Sequence, residues 1–300
     1  MSTRNKGILS YLALAFGMAW GLWEIPILCG LSPRHPLFQL ALLPGAFTPA
    51  IAAIIVRRWV TGEGFADAGL RLNLRKWPYY LVAWLLPIPV TITIVMLASI
   101  LGLSEPDFSL QRFIAWFLQE AGPRTLPSYI RFALPIQCLI TALIATIILW
   151  GEEFGWRGYL QLRLFDECPL LAAITTGLIW GAWHYPINLR GYNYPDNPFL
   201  GLIIFPVGTV LLSIIFGWLR LRTGSIWPAS LAHSATNAVG GSIMMMLFLG
   251  GPNWVFVSYL GILAWIPLGT LCAWIVLSGQ LKSESVLDRC GQSDELPPMT

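Results

Sequence analysis

The stretch Trp150-Gly-Glu-Glu-Phe-Gly-Trp-Arg157 sets two carboxylates and a guanidinium at the end of a long apolar run. A charge at the centre of a membrane helix costs roughly 2.5–3.5 kcal/mol, so these groups need partners, a water-filled cavity, or both. Glu153 and Arg157 are four apart, share a helical face and can pair. Glu152 points well away from that pair and is free to face something else. Gly151, Gly155 and Gly158 remove bulk and let another helix backbone come close. The reading is a polar site packed inside a bundle.

Two of the three histidines join it. His184 shares a helical face with Gly177, Trp180 and Gly181, and His233 shares one with Asn237. His35, beside Arg34 and Pro36, is given no role. A carboxylate in apolar surroundings is a stronger base than one in water and can activate water, with a histidine sharing the proton. A second histidine with an Asn amide offers donors to a developing oxyanion. Glu152, His184, His233 and Asn237 therefore form a kit for peptide-bond hydrolysis without a nucleophilic side chain. Zinc is the competing reading, because two His and one Glu (Glu152, His184, His233) also make a hydrolytic metal site. There is no HExxH, so such a site would have to come from three separate helices. No GxSG and no paired intramembrane aspartates are present.

Elements that position these residues follow from composition. Hydrophobic residues make up 56% of the 300, charged residues 11%, and mean hydropathy is +0.67. Soluble domains carry about 25% charge, so the chain reads as an all-α, polytopic membrane bundle. About eight spans are expected: Ile8 to Cys29, Phe38–Val56, Trp77–Leu101, Tyr129–Trp150, Leu170–Tyr185, Phe199–Leu219, Ile226–Leu249 and Trp254–Leu277. Residues 102–128 contain an amphipathic helix lying in the interface or capping the bundle. Residues 1–279 form one integral-membrane domain, with a motif core at about 130–245. Residues 280–300 are a polar tail expected to be disordered. The five cysteines are scattered and read as small apolar side chains.

Thirteen of the 18 Lys and Arg fall on the N-terminal side of this eight-span arrangement, which puts both termini in the cytoplasm. Glu152 and Glu153 then sit at one end of span four while His184 lies toward the opposite end of span five. These depths do not match, so span five is offset or a boundary is misplaced.

Glu152-Glu153-x-x-x-Arg157, Trp180-x-x-x-His184 and His233-x-x-x-Asn237 resemble, in order, the three motifs of the CAAX prenyl protease and bacteriocin-processing family (CPBP, also called Abi). Phe is more usual than Trp at position 180. The eukaryotic branch of that family removes the last three residues of prenylated CaaX proteins. The resemblance implies an intramembrane endopeptidase acting on a membrane-associated peptide or protein, lipidated or not. Glu152 would activate water with help from His184, and His233 with Asn237 would form the oxyanion site. Glu153 and Arg157 would hold the motif together, with Trp180 in an aromatic packing position. No cofactor is required on this reading, although zinc remains an alternative. The bilayer is an expected partner and nucleic acid is not. A transporter with a Glu/His proton relay is the reading from a different class, but the polar motifs occur only in the second half and so lack repeat symmetry.

Overall fold

The computed structural model describes residues 1–32, 35, 37–121, 129–251 and 253–281. Among them every regular element is helical. Six helices are long and apolar enough to cross a membrane: α1 (Thr3–Leu28), α2 (Leu40–Thr61), α3 (Leu74–Ile100), α5 (Phe132–Arg163), α7 (Pro198–Thr223) and α9 (Trp254–Leu277). Between them run the amphipathic α4 (Gln111–Ala121), the shorter apolar α6 (Pro169–Trp183) and α8 (227–248). All eight expected spans thus form as helices, with α6 shorter and α8 diluted by Ser230, His233, Ser234, Thr236 and Asn237. The predicted tail lies outside the described residues from 282 onward.

Prolines open α6, α7 and α8, where the missing amide would have had no helical partner. Gly224, at φ +66°, lets the chain leave α7 in the left-handed conformation. Along α5, Phe132, Ile136, Ile140, Leu143 and Ile147 are exposed at helical spacing. This apolar outer stripe is what lipid solvates. Just before and within α4, the Asp107 amide and Arg112 Nη2 both donate to Leu247 O, at 2.8 and 3.3 Å. Of the two placements read for this helix, α4 therefore caps the end of α8.

Two span boundaries need correction. Span four does not end at Trp150. The helix continues through a π-helical turn, Trp156–Leu160, to Arg163. Its charges are bonded within the bundle, so they do not stop the helix, and the Glu-Glu-Arg stretch lies inside α5. That extension removes the mismatch in depth with His184. Span two likewise passes Arg57 and Arg58 to reach Thr61. Arg57 is fully buried and donates to Asp67 Oδ1 at 2.7 Å and Gly158 O at 2.8 Å.

Close helix contacts fix the site's walls. A Cβ on Gly155 would lie 2.4 Å from Pro49 Cβ and 2.5 Å from the Tyr11 hydroxyl. Glycine at Gly151 and Gly155 therefore lets α5 lie directly on α2 and α1. A Cβ on Gly181 would meet Thr209 Oγ1 at 2.7 Å and Pro206 Cα at 2.8 Å. There α6 is stitched to α7, with Thr209 Oγ1 donating to Gly177 O at 2.9 Å and Ser213 Oγ to Ala173 O at 2.7 Å. Small residues and hydroxyl bonds replace the hydrophobic driving force that lipid surroundings lack.

At one end of the bundle the connections are tied together by charge. Arg163 pairs with Glu63 and Asp67, Arg220 donates to Asp67 O at 2.6 Å, and Arg4 pairs with Asp166 at 2.5 Å. Burial alone would raise the Glu63 and Asp67 carboxyls. Hydrogen bonds and charge from Arg163 on Glu63, and from Arg57 on Asp67, outweigh it and hold both below the ordinary carboxylate range.

Candidate active site

Three helices supply the polar side chains. From α5 come Glu152, Glu153 and Arg157, from α6 Trp180 with His184 at its C-terminal cap, and from α8 His233 and Asn237. Glu153 and Arg157 are fully buried and Glu152 is 6% exposed. The expected i,i+4 pair forms, with Arg157 Nη1 donating to Glu153 Oε1 at 2.9 Å. The guanidinium also lies 4.7 Å from the Trp180 ring centroid and 5.2 Å from that of Phe216. Stacking against two aromatic faces suits a guanidinium taken out of water.

Glu153 has a second partner that the sequence reading missed. His233 Nδ1 donates to the same Oε1 at 2.9 Å, so one carboxylate ties α8 to α5. That fixes the tautomer and leaves Nε2 as the free ring nitrogen of His233. Glu152, by contrast, accepts from the Trp180 indole: Nε1 to Oε2 is 2.8 Å. His184 Nδ1 donates to Trp180 O at 2.9 Å, which leaves Nε2 free there as well.

Trp180 is thus the centre of the group. Its ring lies edge-on to His233 with centroids 5.0 Å apart and edge-on to His184 at 6.0 Å. Glu152, Glu153, Arg157, His184 and His233 all gather around this indole, through bonds of their own or through Glu153. Asn237 is exposed and lies in the π-helical turn Thr236–Gly241, one turn beyond His233. His35 Nδ1 accepts from the Leu37 amide at 3.1 Å.

Among the described residues no three His, Cys, Asp or Glu side chains are grouped to hold a metal ion. Both histidines commit Nδ1 within the bundle and keep Nε2 available, and the carboxylate bonded to His233 is Glu153 rather than Glu152.

Residues 132–239 match the family model described as type II CAAX prenyl endopeptidase Rce1-like. This segment thus resembles the CAAX prenyl protease (CPBP) family. A relative, CAAX prenyl protease 2 of Methanococcus maripaludis, is 27% identical over 241 residues, covering 76% of this chain and 81% of the relative. The matched segment runs from the start of α5 through the π-helical turn of α8 and contains every residue of the group around Trp180. The match supports an intramembrane endopeptidase activity, and transport is not favoured. The helices and the family together indicate a multi-pass membrane protein.

Proposed function

We propose that this chain hydrolyses a peptide bond of a membrane-associated substrate with water activated by Glu152. The supporting observation is one buried carboxylate held by an indole N–H beside two histidines, each with Nε2 uncommitted among the described residues. Glu152 takes a proton from water while the oxygen attacks the scissile carbonyl carbon. Nε2 of neutral His184 accepts the water's other hydrogen and orients it. The tetrahedral oxyanion is met by the Asn237 amide and by His233, which donates from Nε2 in its doubly protonated form. Glu152 then delivers its proton to the leaving nitrogen as the C–N bond breaks, giving a carboxylic acid and an amine, and the acid then loses its proton to solvent.

No metal enters this sequence, since the proton, the water and the oxyanion each have a protein partner. The relative's name points to a CAAX-type substrate, so the proposed probe carries a prenylated cysteine close to its C-terminus. The end of the bundle bearing Arg4, Arg57, Arg163 and Arg220 is assigned to the cytoplasm on the excess of positive charge there. Such a substrate would meet the site from that side.

The test compares new protein termini in membranes of cells producing wild type or Glu152→Gln at matched levels. Fragments present only with wild type support the reading. Identical termini, with both proteins folded, would remove it.

A further inference from the structure

On the proposed mechanism Glu152 has to keep one oxygen turned toward water, and its 2.8 Å side-chain hydrogen bond comes from an indole rather than from a charged group. The expected role of Trp180 was aromatic packing, and its ring does pack, against His184, His233 and Phe216. Packing alone is something any aromatic side chain could provide. The indole does one thing a phenyl ring cannot: Nε1–H donates to Glu152 Oε2 at 2.8 Å, between two buried side chains. A donor to a desolvated carboxylate is worth more than a neutral pair, and it constrains direction as well as distance. Trp180 takes Oε2, the Trp156 indole also lies close to the carboxylate, and on the proposed mechanism Oε1 addresses the water.

We infer that Trp180 is a positioning residue that orients the Glu152 carboxylate through its indole N–H, and that this chain depends on that donor where a phenylalanine-type site does not have one. The inference rests on the proposed role of Glu152. Trp180 touches no reacting atom of the substrate; it acts through Glu152. The backbone supports the same role, because Trp180 O accepts from His184 Nδ1 at 2.9 Å. One residue thereby registers the base through its side chain and the neighbouring histidine through its carbonyl. The stitching of α6 to α7 at Gly177 and Gly181 holds that residue in place.

The decisive variant is Trp180→β-(3-benzothienyl)alanine, introduced by codon suppression, which keeps the bicyclic shape and lacks the N–H. Trp180→Phe serves as a second, wholly natural variant. The first readout needs no substrate. The infrared carboxylate stretch of Glu152, recognised as the band absent from Glu152→Gln at alkaline pH, shifts in both variants when the donor is removed. A merely structural role would leave that band where it is. The second readout is cleavage of an internally quenched peptide bearing a farnesylated cysteine. There kcat falls by about tenfold to a hundredfold, the range expected for losing a hydrogen bond to a charged group, with KM little changed.

An unmoved infrared band in the benzothienyl variant would overturn the inference, whatever happens to the rate. So would a loss of rate accounted for by a smaller folded fraction. Failure of the underlying reading looks different: Glu152→Gln would then cleave normally. In that case the infrared shift still reports whether Trp180 holds the carboxylate.

Discussion

Removing the charge of Glu153 separates its hold on Arg157 from its placing of His233. Arg157 is fully buried, its Nη1 bonds Glu153 at 2.9 Å, and its Nε and Nη2 have no protein acceptor among the described residues. Glu153→Gln therefore leaves a guanidinium inside the bundle with no bonded carboxylate. Deleting one partner of a buried pair costs about 3–5 kcal/mol. The retained amide oxygen can still accept from Nη1, which puts the expected loss near the lower end, about 3 kcal/mol. Exchanging Arg157 for Met as well removes the stranded charge and leaves an apolar chain between the Trp180 and Phe216 rings. The double variant should regain most of the stability, for a coupling of about 2 kcal/mol. Activity should not return with it, because His233 has still lost the carboxylate that holds Nδ1 at 2.9 Å. A fall of about tenfold or more is expected from misplacing that ring. Unfolding in detergent can be followed by thiol labelling, since Cys138 and Cys272 are buried while Cys29 and Cys168 are exposed and give a constant background. A double variant no more stable than Glu153→Gln, or one that cleaves at the wild-type rate, would refute this reasoning.

Other perturbations test the frame around the site. Gly155→Ala forces a methyl to within 2.4 Å of Pro49 Cβ, so overpacking should cost about 1–3 kcal/mol and lower the thermal midpoint; an unchanged midpoint would contradict the described α5–α2 contact. Glu63 and Asp67 titrate below their ordinary range because Arg163 and Arg57 outweigh the effect of burial. Their contribution is then complete above about pH 4 and is lost as pH falls through the lower folded values, so acid unfolding should begin at higher pH in Glu63→Gln/Asp67→Asn than in wild type. Coincident acid profiles would show that this end of the bundle is not held by charge. Chelator treatment followed by elemental analysis should leave cleavage unchanged; activity that is lost and then restored by zinc would require a different mechanism.

Much of the frame is legible in the sequence because lipid makes simple demands. Long apolar runs become helices, and the i,i+4 spacing of Glu153 and Arg157 gives their pairing directly. The two misplaced boundaries share a cause. Arg57, Glu152 and Glu153 look like the ends of spans when charge is taken to mean water, yet each is buried and bonded within the protein. Partners from distant segments are what a single sequence hides. Asp67 for Arg57, His233 for Glu153 and the indole of Trp180 for Glu152 lie 10 to 80 positions away. The spacing of Trp180 to His184 signals a shared face, but nothing in it says that the indole N–H turns to a carboxylate. The π-helical turns at Trp156–Leu160 and Thr236–Gly241 also leave no simple periodic mark, and the second of these carries Asn237.

The central claim is that Glu152 activates the hydrolytic water. Its most direct test is the rate at which purified protein in liposomes cleaves the farnesylated quenched peptide, for wild type and for a folded Glu152→Gln. The account expects cleavage by wild type and a loss of at least about a hundredfold in Glu152→Gln, since the variant cannot take the proton from water. Equal rates from the two proteins would contradict it.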